Sequence, residues 1–147
     1  MTRNQSHVDG SLSDESLTAL LRLSGGRVTP QRLGVLHRVT AAQRHLTAGE
    51  VHRQACDAGE RLELSTVHRV LASLVDTGVL HCVFTTTGAA FGIGGPPHSH
   101  ATCRSCGVTL DVGVPPGEAA RITELAGFHD DAATVAVVTL CATCGPR

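Results

Sequence analysis

The chain contains no tryptophan, no tyrosine and no lysine, and only three phenylalanines among 147 residues. So few aromatic rings exclude a stacking platform for single-stranded nucleic acid. The missing lysine leaves arginine as the residue type of all twelve basic side chains. Its forked guanidinium makes paired contacts to phosphate and to guanine. Net charge is only −1, with nine Arg against eight Asp and Glu in residues 1–84 and three against five in residues 85–147. Bulk attraction to a polyanion is therefore weak, and any duplex contact depends on arginines gathered on one face. No run of about 18 apolar residues occurs, so no helix is expected to span a membrane. The opening MTRNQSHVDGSLSDES lacks the apolar stretch of a signal peptide. It is expected to be a flexible arm over residues 1–12, on a cytoplasmic protein. Hydrophobic residues at 41% and charged residues at 17% fit a folded globular chain.

What is present is six cysteines and nine histidines. Without a secretory signal, the cysteines are better read as thiolates than as disulfides. Cys103-x-x-Cys106 and Cys141-x-x-Cys144 form two matched pairs with 34 residues between them. Two intervening residues let both sulfurs of a pair reach one ion at ~2.3 Å, and four thiolates around a tetrahedral ion leave no open position. A structural zinc is the expectation. An iron–sulfur centre and a thioredoxin-like redox pair are the rivals, the first lacking a cluster-type cysteine run. A zinc deaminase would place H-x-E before its C-x-x-C, and the histidines here have no such glutamate. No catalytic triad and no phosphate-binding glycine loop is present either, so the chain is not expected to be an enzyme.

Four short helices are expected first. LSDESLTALLRLSGG (12–26) has Ser13 as N-cap, a Leu17, Leu20, Leu21 stripe and a Gly25–Gly26 stop. TPQRLGVLHRVTAA (29–42) has Thr29 as cap, Pro30 at the first helical position, and Leu33, Leu36 and Val39 inward. In LTAGEVHRQACDAG (46–59), Thr47 and Glu50 form a capping box. STVHRVLASLVDTG (65–78) is expected to be capped by Ser65, with Val67, Val70, Leu71 and Leu74 inward and Thr66, His68, Arg69 and Ser73 outward. VLHCVFT (79–85) and GAAFGI (88–93) then read as strands around a TTTG turn. Helices followed by a β-hairpin describe a winged helix, in which the last helix enters the major groove. GGPPHSH (94–100) is a hinge by composition. A strand (108–114), a helix (116–127) and a strand (133–140) complete the chain, with a cysteine pair at each end of this unit. The exposed strand edge of so small a unit suggests pairing with a second copy.

His98 and His100 are two apart, so an extended segment projects both to one face. They suit a two-nitrogen clamp. The four positions of the cysteine ion are already taken, so a second ion is expected.

Several stretches together resemble the ferric uptake regulator family of metal-dependent repressors. They are RVTPQR (27–32), HLTAGE (45–50), TVHRVL (66–71), HSHATCRSCG (98–107), Gly127–Phe128 and CATC (141–144). The resemblance implies an α+β chain: a winged-helix DNA-binding domain over 13–93, a hinge at 94–97, and an α/β dimerisation and metal-binding domain over 98–147. It implies a homodimer on a palindromic operator in double-stranded DNA, with a metal ion as effector. Arg27 would meet the DNA backbone or minor groove, and Arg69 and Thr66 match the recognition-helix pattern. His68 stands where the family has tyrosine, so a base contact there would come from an imidazole of shorter reach. His45 matches a sensory histidine of the family, and His81 falls where zinc-type members place a ligating aspartate. Since AAFGI supplies no acid or thiol, His45, His81, His98 and His100 would give an all-nitrogen regulatory site; Cys82, expected to point to the opposite strand face, or water is the alternative to His45 as fourth ligand. Imidazole suits zinc, and also nickel and cobalt. The third site of many members is expected to be absent. Pro97, Ser99 and Ala133 stand at its ligand positions, which strands Glu118 and leaves His129 off register.

The expected function is a metal-responsive repressor that senses zinc and controls metal-uptake genes. The alternatives are a peroxide sensor or another metal's sensor on the same fold, and a structural zinc module that binds a protein partner.

Overall fold

The structure, a computed structural model, describes residues 12–129 and 134–145. The expected arm lies outside these residues except for Leu12, which packs partly buried against the core.

Helix starts follow their caps. Ser13 accepts from Ser16 N to open α1 (Asp14–Leu23), and Thr29 accepts from Arg32 N to open α2 (Pro30–Ala41), with proline at its first turn. Thr47 and Glu50 form the reciprocal capping box of α3 (Ala48–Asp57). The fourth helix departs from expectation. α4 (Leu64–Asp76) takes Glu63 as its N-cap, with no side-chain cap bond, and Ser65 lies inside the helix. Leu62 packs against the core just upstream, and that anchoring fixes the entry of the chain ahead of the hydroxyl. Leu46 and the cap residue Thr47 also form a two-residue strand β1, not anticipated, that pairs with Phe91 and Ala90.

The hairpin β2 (Leu80–Thr85) and β3 (Gly88–Ile93) turns at 86–87, as the TTTG signal indicates. With β1 it makes a three-stranded antiparallel sheet in the order β1-β3-β2. Leu17 and Leu21 of α1, Val35 and Leu36 of α2, Val51 of α3, and Val67, Leu71 and Leu74 of α4 are fully buried against Leu46, Leu80 and Phe91. Each such aliphatic side chain contributes about 1.5–3 kcal/mol by leaving water. Helices closed by an antiparallel wing form the expected winged-helix unit.

The second sheet contains a strand not anticipated. β4 (Ser99–Cys103) begins inside the HSH segment and lies between β5 (Thr109–Val112) and β6 (Ala136–Thr139), antiparallel to the first and parallel to the second. The crossover from β5 to β6 carries α5 (Pro116–Leu125). β6 is shorter than the 133–140 segment expected, and Ala133 lies outside the described residues. Val137 and Val138 of β6 and Leu125 of α5 are largely exposed. No helix among the described residues is long and apolar enough to cross a membrane.

Candidate metal centres

The first cluster is built by the parallel pairing of β4 and β6. Register sets Cys103 opposite Thr139, so the turn that follows β4 meets the turn that follows β6. Gly107 closes the first turn by donating its N–H to the Cys103 carbonyl at 2.9 Å, in the left-handed conformation (φ 75°) that glycine adopts without strain. Gly145 closes the second by donating to the Cys141 carbonyl at 2.8 Å. The sulfurs of Cys103, Cys106, Cys141 and Cys144 all lie within 4.8 Å of one another. Cys106 and Cys141 Sγ stand 3.8 Å apart, far beyond a disulfide bond and matching the ~3.8 Å edge of a tetrahedron with ~2.3 Å bonds.

Backbone N–H groups of the turns favour thiolate. Those of Cys106 and Cys141 lower Cys103 to about 6, and those of Cys144 and Thr143 lower Cys141. Ser105 also favours the thiolate of Cys144, yet the crowding by Cys141 and Cys106 pushes that thiol up to about 11. Four anions so close cannot ionise together without a cation, and the set therefore fits a divalent soft-ligand ion.

The second cluster draws on both sheets. His45 precedes β1, His81 lies on β2, His98 and His100 flank Ser99, and Asp111 lies on β5. Their ligand atoms fall within 4.8 Å of one another. Nε2 of His81 stands 2.7 Å from Nε2 of His45 and 3.0 Å from Nε2 of His100. Asp111 Oδ1 lies 3.4 Å from His98 Nε2, 3.6 Å from His100 Nε2 and 3.7 Å from His45 Nδ1. Outer partners orient two of the rings: His81 Nδ1–H donates to the Ile93 carbonyl at 2.6 Å, and His98 Nδ1–H donates to Pro96 at 2.8 Å. Both rings are thereby committed to present Nε2 inward as a lone pair. His98 Nε2 is buried without a hydrogen-bond partner, as expected of an atom waiting for an ion.

Electrostatics point the same way. Burial lowers His45 and His81 below the ordinary imidazole value, Asp111 opposing in each case. Burial, then the neighbouring His45, His98 and His81, bring His100 down to about 4. Several imidazoles held neutral around one carboxylate are a ready donor set for a borderline divalent cation.

All four sequence-predicted histidines are brought together, and a carboxylate lies among them. Asp111, whose oxygen lies beside three of the rings, is a residue that the reading of the sequence missed. It sits directly across from His100 in the β4–β5 ladder, a register that the sequence does not spell out. Cys82 lies outside the cluster, as its strand alternation implies. It packs against the hydrophobic core, and burial pushes its thiol up. Among the described residues, Glu118 and His129 join neither cluster.

Elsewhere on the winged helix, Arg27, Thr66 and Arg69 line one open groove of about 710 Å³ with Thr29, Gln31 and Arg32. Arg69 Nη2 donates to Thr66 Oγ1 at 3.1 Å. Arg32, not singled out beforehand, reaches the Arg27 carbonyl at 3.2 Å and also bonds Ser73. Ser73 is half-buried and is engaged by this groove arginine. His68 is exposed on α4 but outside this groove.

Comparison with known proteins agrees with this architecture. Residues 23–137 match the Ferric uptake regulator family. The zinc uptake regulation protein of Mycobacterium tuberculosis is 31% identical over 125 residues, covering 82% of this chain and 96% of that protein. The peroxide-responsive repressor PerR of Staphylococcus aureus is 26% identical over 102 residues, 69% of each chain. Among solved structures, the Vibrio cholerae ferric uptake regulator superposes with a TM-score of 0.67 at 26% identity, covering 84% of this chain and 98% of that one. The chain belongs to the Ferric uptake regulator family of metal-responsive regulators, which are not enzymes.

Proposed function

We infer that the chain is a zinc-sensing repressor of metal-uptake genes, acting as a cytoplasmic homodimer on a palindromic DNA operator. The observation that carries this reading is the second cluster, which takes His45 and His81 from the winged helix and His98, His100 and Asp111 from the second unit. The units are read as an arm over 1–12, a DNA-binding domain over 13–93, a hinge over 94–97, and a dimerisation domain over 98–147. Cys103, Cys106, Cys141 and Cys144 would hold a structural zinc that keeps β4 and β6 together. His45, His81, His98 and His100, with Asp111, would hold the regulatory ion. Four imidazoles and one carboxylate suit zinc, and the relative named for zinc uptake supports that choice.

The donors come from opposite sides of the hinge, so the arrangement in which they converge is the one an ion stabilises. An ion shifts the equilibrium only by its differential affinity for that arrangement. If the converged arrangement sets two α4 helices one DNA turn apart in a dimer, ion and operator bind with positive linkage. Arg27, Thr66 and Arg69 would then meet the duplex from the groove, with His68 on the exposed face of α4. The exposed Leu125, Val137 and Val138 would be covered by the second copy.

The test is binding of a duplex selected from a randomised pool, at fixed ionic strength, with zinc and with chelator. Linkage of ~1–3 kcal/mol gives roughly 5–150-fold tighter binding with zinc; equal binding in both conditions would refute the sensor.

A second reading is favoured by Asp111 itself. A carboxylate among histidines suits iron better than nitrogen alone, and one relative is a peroxide-responsive repressor. Peroxide treatment of the iron-loaded chain, followed by mass spectrometry, separates the readings. Gain of one oxygen on His45 or His100 supports peroxide sensing, and unmodified histidines support zinc sensing.

A further inference from the structure

Gly92 lies near the end of β3 with its Cα paired to that of His81 on β2. It is buried and is not among the glycines of positive φ, so its backbone conformation is open to any residue. Glycine inside a strand weakens it and marks a close approach by something else. Here the approaching group is an imidazole. A Cβ at position 92 would lie 2.5 Å from His45 Nε2, 2.7 Å from Cδ2 and 3.0 Å from Cε1, well inside the ~3.5 Å at which such atoms rest. The ring has little room to retreat. His45 is 4% exposed, and its backbone N–H is bonded to the Thr109 carbonyl at 3.2 Å.

We propose that Gly92 is a specificity-determining residue of the second centre: the bare strand position is what admits the His45 imidazole beside His81. The proposal rests on the reading of this cluster as a metal centre and adds what sets its donor count. A side chain at position 92 and the His45 ring compete for one volume. With the ring displaced, three imidazoles and Asp111 remain, a set poorer in nitrogen. Nitrogen donors favour zinc, cobalt and nickel, whereas manganese accepts oxygen readily. Filling position 92 therefore weakens zinc more than manganese.

The experiment uses the full chain, with its cysteine centre loaded, as wild type, Gly92→Ala, His45→Ala and the double variant. Zinc and manganese affinities are measured by competition with a chromophoric chelator. Gly92→Ala is expected to lower zinc affinity at the second centre about 10–100-fold and to narrow the ratio of zinc to manganese affinity. In the His45→Ala background the same change is expected to do nothing further, because the volume is already free. A readout without an ion at the second centre comes from NMR of the chain treated with chelator: wild type shows a contact between a His45 ring proton and the Gly92 α-protons, and Gly92→Ala moves the His45 ring resonances. Should Gly92→Ala unfold, the double variant is expected to regain stability. Undiminished zinc affinity in Gly92→Ala, an equal loss in the His45→Ala background, or failure of the double variant to recover would each overturn the proposal. A wild-type chain that takes up no second ion defeats the functional reading along with this one. Wild-type uptake with an indifferent Gly92→Ala defeats this one alone.

Discussion

His45 and His81, 36 residues apart, present their Nε2 atoms to each other at 2.7 Å. One precedes the short strand β1 and the other lies on β2, and β3 separates the two strands in the sheet. Two imidazole nitrogens so close share at most one proton between them, and a third, His100 Nε2, stands 3.0 Å from His81. Around a tetrahedral ion with ~2.0–2.1 Å bonds, nitrogens sit ~3.3 Å apart. The cluster is already near that spacing.

Acid should weaken the metal-free fold. Burial holds His100 at about 4 in the folded chain against an ordinary 6.5, and it lowers His45 and His81 as well. Below about pH 6.5 the unfolded chain takes up protons that the folded chain refuses, so stability is full above that value and is lost as pH falls toward 4. Thermal melts of chelated protein across this range are expected to show a falling midpoint, flattened in His100→Ala. A midpoint that stays level or rises on acidification would contradict the assignment.

Removing one thiolate should be costly. Cys103 is buried at the junction of β4 with both turns, and Cys141 N–H donates to its sulfur at 3.4 Å. Cys103→Ser is expected to release the bound ion and destabilise the second sheet by at least about 3 kcal/mol, roughly 10 °C or more in melting temperature. Metal analysis and calorimetry together check this.

Neutralising the acid of the second centre should spare the first. Asp111→Asn keeps the shape of the side chain but removes the charge that faces His98, His100 and His45. Zinc affinity there is expected to fall about 10–100-fold, with the cysteine-bound ion retained. Isothermal titration of wild type and Asp111→Asn side by side would show it.

The groove on the winged helix and the exposed His68 of α4 make separable predictions for DNA. Arg27→Ala is expected to weaken all duplexes alike and to lower the salt slope of binding by about 1, the mark of a lost phosphate contact. His68→Ala is expected to change preference among sequences, by about 1–3 kcal/mol at one base pair, if its imidazole reads a base edge. Anisotropy titrations over a range of salt distinguish the two.

Features set by neighbours in sequence were legible before the fold was known. The Thr47–Glu50 capping box, the Pro30 start and the two cysteine turns each need only three or four residues to state their geometry. The histidines of the second cluster were legible through spacing at His98 and His100, and through family resemblance at His45 and His81. What stayed hidden depends on register between strands. Asp111 joins the cluster only because β5 pairs with β4 so that it faces His100. Gly92 matters only because an imidazole arriving from outside the hairpin fills its missing side chain. Ser65 shows the opposite failure, a good local cap overruled because the packing of Leu62 starts the helix earlier.

Two ions per chain, one on sulfur and one on nitrogen, is the claim from which the rest follows. Its most direct measurement is metal content of wild type beside His98→Ala/His100→Ala. The account predicts two zinc ions per chain falling to one, with the cysteine-bound ion and the oligomeric state unchanged. Equal metal content in the two proteins would contradict it.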